Sequence, residues 1–226
     1  MNSVKPLPKR RASSQERIDR ILDATVILLE QRSLGELSIY AIAAQADIPP
    51  SSVYHFFPQL ADVLAALAER VFAELDGVLG AAPEGFEPAS WMQLIERLED
   101  RFQQYYQSHP AARELILGAH ELAGVRQADR HHDRLLGQSL RAYLARYYQL
   151  PALPDDVDIF ALAMQAADKL LAADHQQHGE LTEPMRREAK RMMVAYLGLY
   201  LPPVLPSALP RTDAAGVADG VDHSTR

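Results

Sequence analysis

Residues 37–64 read Leu37-Ser-Ile-Tyr-Ala-Ile-Ala-Ala-Gln-Ala-Asp-Ile-Pro-Pro-Ser-Ser-Val-Tyr-His-Phe-Phe-Pro-Gln-Leu-Ala-Asp-Val-Leu64. Ser38 suits a helix N-cap. Ile39, Ile42, Ala43 and Ala46 then recur at i, i+3, i+4 and i+7, one face of a helix. Asp47 tolerates turn geometry, and Pro49 drives Ile48 out of helix, so this element stops near Ala46. Pro50 suits the first position of a new helix, where no N–H is needed. That helix spans Pro50 to Phe57, turns Val53, Phe56 and Phe57 inward, and is closed by Pro58. Two short helices across a tight turn form a helix-turn-helix pattern. The second must present small or hydrogen-bonding side chains to enter a DNA major groove, and Ser51, Ser52, Tyr54 and His55 answer that need.

Upstream, Ser13-Ser14-Gln15-Glu16 has the spacing of a capping box. Ile18, Ile21, Leu22, Thr25, Leu28 and Leu29 follow as one apolar stripe, and Gly35 is placed to end the helix in a left-handed conformation. Downstream, a long helix is predicted from Leu60 to Leu79, then a loop over 81–88, where Pro and Gly break the pattern. Helical periodicity resumes at 89–108, 110–123, 126–149, 155–177 and 182–201. No alternating strand pair is evident, so the fold class is all-α. The expected organisation is a basic flexible arm at 1–12, a helix-turn-helix domain at 13–60, a helical regulatory and dimerisation domain at 61–201, and a disordered tail at 202–226.

Composition narrows the function. The chain has 226 residues, 48% of them hydrophobic, which is enough for a sizeable core. It has no cysteine, which excludes a disulfide framework and a thiol nucleophile. No secretory leader and no apolar run of membrane-spanning length is seen, so the expected place is the cytoplasm. The net charge is −7. Residues 1–20 hold six Lys or Arg against Glu16 and Asp19, a balance of +4, which leaves −11 on the remainder. A basic end on an acidic body can dock on phosphate with the body turned away.

The stretch Leu37–Leu64 resembles the tetracycline-repressor (TetR) family of bacterial regulators. Ser38, Ile42-Ala43, Ala46, Ile48, Val53-Tyr54, Phe56-Phe57 and Val63-Leu64 follow that family's pattern. Three positions depart from it. Asp47 replaces the usual turn glycine, Pro49 the usual serine cap, and Leu60 the usual lysine of the fourth helix. The resemblance implies a homodimeric repressor of double-stranded DNA with a pseudo-palindromic operator. It implies no cofactor. Candidate DNA-binding residues are Arg10, Arg11, Ser38, Tyr40, Pro50, Ser51, Ser52, Tyr54 and His55. Tyr54 is assigned to phosphate, which carries no base information, and Ser51 and Ser52 to base edges.

The later helices suggest a sensor. Trp91, Ile95, Phe102, Tyr105, Tyr143, Tyr147 and Met164 lie on apolar faces, and Asp168 and His120 are polar groups available to anchor a small apolar effector. The competing reading of these residues is a dry core. The stripe Val157, Phe160, Ala161, Met164, Leu171 and the stripe Met185, Ala189, Met192, Met193, Tyr196, Tyr200 are expected to pair with their twofold copies in a four-helix dimer seam. His131-His132-Asp133 and Asp174-His175-x-x-His178 read better as helix-surface and helix-end groups than as metal ligands. An all-helical enzyme lacks a nucleophile motif or phosphate loop here. A winged-helix regulator of the MarR-like kind needs a β-hairpin after the recognition helix, where this sequence has a long helix.

Overall fold

The computed structural model describes residues 9–80, 87–118 and 135–208. Among these the chain is helical, with one isolated β-bridge, Tyr148 to Ser207. The elements are α1 (Lys9–Leu29), a 3-10 turn (Leu34–Glu36), α2 (Ile39–Gln45), α3 (Pro50–Phe56), α4 (Leu60–Gly80), α5 (Trp91–Ser108), α6 (Pro110–Gly118), α7 (helical at 135–145), α8 (Ile159–His178) and α9 (Glu183–Leu197). No helix of the described residues is long and apolar enough to cross a membrane.

Side-chain caps set several boundaries. Ser38 Oγ accepts the Ala41 N–H at 3.1 Å, as its position predicted. Ser90 Oγ accepts the Gln93 N–H, and Asp158 Oδ1 accepts the N–H groups of Phe160 and Ala161. Gly179, with φ 73°, ends α8 in the left-handed conformation. α7 and α8 touch closely at Gly137, where an added Cβ would lie 2.7 Å from the Ala161 nitrogen.

Several expectations need correction. α1 begins at Lys9, so Ser13 and Glu16 lie inside the helix and residues 9–12 are not a loose arm. Lys, Arg and Ala form helix readily, and extending an existing helix costs far less than starting one. Gly35 does not take a left-handed conformation. It sits in the 3-10 turn, where Ser33 N–H and Oγ–H both donate to Glu36 Oε2. α8 starts two residues after Val157, which is 39% exposed and off the buried stripe. Phe160, Ala161, Met164 and Leu171, expected in the dimer seam, are buried within the single chain, as are Ala189 and Met193, so most of both stripes is intrachain core. Met192 is 41% exposed, and Tyr200 lies beyond the end of α9. α7 stops at 145 instead of 149, because the following main chain pairs elsewhere. The Gln149 N–H donates to Pro206 O at 2.8 Å, and the Ala208 N–H donates to Tyr147 O at 2.9 Å. The main chain at 202–208 is therefore tied to the body and is not a free tail: Leu205 is buried, and Trp91 Nε1–H donates to Pro202 O, while the other side chains of the segment are exposed. The predicted helical parts at 119–123 and 126–134, most of the 81–88 loop, and the tail beyond 208 lie outside the described residues.

α1, α2 and α3 form the N-terminal head around Ile21, Ile42 and Val53, all fully buried. The body packs α8 along α9, with α5 against α9 and α4. α6 joins the two parts, packing on α1 and the 3-10 turn as well as on α4, α5 and α8.

Candidate nucleic-acid interface

The turn between α2 and α3 closes by two backbone bonds, Asp47 N–H to Ala44 O and Ile48 N–H to Ala43 O. This is the paired bonding of a Schellman motif, which demands a left-handed residue just after the helix. Asp47 fills that place with φ 52°. Arg20 on α1 completes the turn: its Nη2 donates to Ala46 O at 2.6 Å and to Asp47 O at 3.3 Å. A cation thereby satisfies carbonyls that the end of α2 leaves orphaned. Sequence reading missed Arg20, because its partners are main-chain atoms 26 and 27 residues away.

α3 begins without a side-chain cap, since Pro49 occupies the cap position and Pro50 follows it. Val53 and Phe57 are buried against the head, which fixes which face of α3 looks outward. That outer face carries Ser51, Tyr54 and His55, all exposed, with Pro50 and Ser52 half-buried. Tyr40, 66% exposed at the start of α2, meets Tyr54 edge to face with ring centroids 6.4 Å apart. The structure so brings Tyr40 beside the outer face of α3, with Ser38 exposed two residues before it. His55 packs edge to face on Phe56, which is half-buried. Arg10 and Arg11 lie on the first turn of α1, and their side chains lie outside the described residues.

α4 follows α3 directly, with no strand between them. The winged-helix alternative therefore finds no hairpin where it needs one. Residues 21–67 match the family profile described as "Bacterial regulatory proteins, tetR family". Residues 90–197 match the profile described as "Tetracyclin repressor-like, C-terminal domain". The chain belongs to the TetR family of transcriptional regulators. Among TetR-family relatives, the HTH-type transcriptional repressor KstR of Rhodococcus jostii is 34% identical over 83 residues, 37% of this chain and 39% of that repressor. The chain thus matches about two fifths of the length of that curated relative. A TetR-family regulator from Streptomyces coelicolor superposes with TM-score 0.63 and 26% identity, covering 82% of this chain and 99% of that one. The multidrug binding protein EbrR, solved with imidazole, shares the fold at TM-score 0.60 and 21% identity, covering 80% of this chain and 89% of that one.

The residues expected to bind an effector are spread through the TetR body. Trp91, Ile95, Phe102 and Tyr105 lie buried along α5, Tyr143 is buried on α7, and Met164 is buried on α8. Tyr147 and Asp168 are half-buried, and His120 lies outside the described residues. Tyr143 and Tyr147 meet edge to face at 5.7 Å. The Tyr105 hydroxyl donates to Glu74 Oε2 at 2.6 Å, and both burial and that carboxylate push its ionisation up. Of the cavities among the described residues, one of about 570 Å³ lies by Asp174 and Met185, and one of about 540 Å³ by Arg32 and His175. Neither is lined by the expected effector residues. Two buried polar residues on α5, Glu99 and Gln103, escaped the sequence reading. Each looks like a solvated helix position until the helices packed on α5 cover it.

Asp174, almost fully buried, accepts Thr182 N–H and Oγ–H and meets His178 Nδ1 at 2.9 Å. This group ties the α8–α9 turn. His175 faces elsewhere, toward Glu114. His131-His132-Asp133 lies outside the described residues.

Proposed function

We propose that this TetR-family chain is a cytoplasmic homodimeric repressor. It binds a pseudo-palindromic operator through α3 and is released by a small, mostly apolar ligand. The observation that carries the DNA reading is the outward face of α3. Val53 and Phe57 are locked inward, while Ser51, Tyr54 and His55 stand exposed beside Tyr40. Ser51 and Ser52 read bases, and Tyr54 and Ser38 contact phosphate. Leu60 stands where the family carries a lysine, so Arg10 and Arg11 on α1 supply backbone charge.

The dimer reading draws on apolar side chains left exposed on the body. Leu162 on α8 and Met192 on α9 are both more than 40% exposed, and Leu199 just beyond α9 is 75% exposed. A second copy of these helices would bury them. The effector reading draws on the aromatic and apolar side chains buried along α5, α7 and α8, from Trp91 to Met164. A ligand acts only if it favours one spacing of the two heads.

The test is selection of bound duplexes from a random pool, followed by mobility shift on the recovered site. The expected result is one inverted repeat, bound by two chains. Neutralising Arg10 and Arg11 together should flatten log affinity against log salt by up to ~2, at ~0.9 for each phosphate that is no longer neutralised. Recovery of no shared sequence, with no shift at low salt, refutes the DNA reading. For the effector, a thermal-shift screen of apolar and aromatic metabolites on wild type and Met164→Trp decides. An identical response of the two proteins removes the pocket from these residues.

A further inference from the structure

We infer that Glu114 positions the DNA-reading head, and that His175 holds Glu114 in place to do so. This rests on the reading of α2 and α3 as that head. Glu114 sits on α6, which packs against α1 and the 3-10 turn as well as against α8. Its carboxylate is divided between two partners. Oε1 accepts the Leu34 N–H at 3.1 Å, and Oε2 meets His175 Nε2 at 3.0 Å. Leu34 opens the 3-10 turn that connects α1 to α2. The first bond thus fastens α6 to the main chain of the head, 80 residues earlier in sequence. The second fastens the same carboxylate to the end of α8, 61 residues later.

The geometry makes this a relay and not two separate contacts. The Glu114 side chain is 25% exposed, so a carboxylate held by Leu34 alone could turn outward into the neighbouring cleft of about 540 Å³. The His175 ring is 7% exposed and donates from Nε2, while its Nδ1 has no hydrogen-bond partner. The Glu114 bond is therefore the polar contact that orients the ring among the described residues. Leu37 is buried a few residues past Leu34, and Ser38 then caps α2. A shift at Leu34 is thus passed directly to the helix-turn-helix. A dimer reads half-sites at one spacing, so a loosened joint costs affinity.

The experiment uses full-length protein and amide hydrogen exchange of peptides spanning residues 30–37, beside binding to the selected duplex. Glu114→Ala is expected to speed exchange in these peptides and to weaken binding roughly 3- to 10-fold. His175→Phe, at a residue that does not bond to the head, is expected to speed exchange in the same peptides. His175→Gln keeps a donor and should restore part of the protection. The double variant Glu114→Ala/His175→Phe should be no worse than Glu114→Ala alone, because both break one chain. Thermal melts identify any variant that fails to fold; if Glu114→Ala does, the two His175 variants decide alone. The inference is overturned if His175→Phe melts lower yet leaves residues 30–37 at the wild-type rate, or if the double variant shows the summed effects of the single ones. If wild type shifts no duplex, the DNA reading fails, and the exchange measurements still settle the relay.

Discussion

Asp47 and Tyr54 show how much rests on single residues in the turn. Asp47 is held at φ 52° by the bonds that close α2. Asp47→Gly is expected to change stability by less than about 1 kcal/mol, since relief of strain is offset by added freedom in the unfolded chain. Asp47→Ile, β-branched at a left-handed position, is expected to cost about 2 kcal/mol. Urea unfolding measures both, and an isoleucine variant as stable as wild type would contradict the turn geometry. Tyr54 was legible in the sequence as exposed, because Val53 and Phe57 had to face inward. Tyr54→Phe should weaken binding to every duplex alike, with base preference unchanged, whereas Ser51→Ala should alter preference. Competition binding across single-base variants of the selected site separates the two. A preference change on losing the Tyr54 hydroxyl would reverse the assignment.

At the scale of elements, the packing of α5 on α9 makes a testable demand on pH. Glu99 is 4% exposed, and burial pushes its carboxyl from 4.5 up to about 7, against the opposing pull of Lys190. Between those values the folded protein keeps a proton that the unfolded chain has released. Stability therefore falls as pH rises from 4.5 through 7. Glu99→Gln removes the penalty. The variant should match wild type near pH 4 and exceed it at pH 8 by up to roughly 3 kcal/mol. Denaturant unfolding across that range checks it, and a difference that stays constant with pH would show that Glu99 is not the group responsible. The apolar side of α5 was plain in the sequence, since its stripe repeats with helical period. Glu99 and Gln103 were not, because a charged or amide side chain marks a solvated position until a second helix covers it.

For the whole molecule, the decisive measurement is the number of chains in solution. Leu162 and Met192 are exposed on α8 and α9 of the single chain. Leu162→Glu combined with Met192→Glu should convert a dimer into a monomer at micromolar concentration while leaving each chain folded. Light scattering coupled to size exclusion reads the mass, and circular dichroism reads the fold. A double variant that remains dimeric would move the seam away from these faces. Loss of the dimer should also abolish binding to the two-half-site duplex, because a single head contacts half the phosphates and bases.

The order and kind of the elements from α1 to α6, the helix-turn-helix and the exposed face of α3 were determined by the sequence alone. Each is written in local signals: the period of apolar residues, a Ser or Asp before a helix, and proline at 49, 50 and 58. The start of α1 was misread for the same reason, since Ser13 and Glu16 spell a local cap that a helix already under way from Lys9 overrides. The anchoring of the main chain at 202–208, the Arg20 clamp on the turn, and the division of Glu114 between Leu34 and His175 were decided by the tertiary structure. Their partners are separated by 26 to 111 residues, and most are main-chain atoms, which every residue carries alike. A main-chain carbonyl leaves no mark in the amino-acid code, so these contacts become visible once the chain has folded and brought it within hydrogen-bond reach.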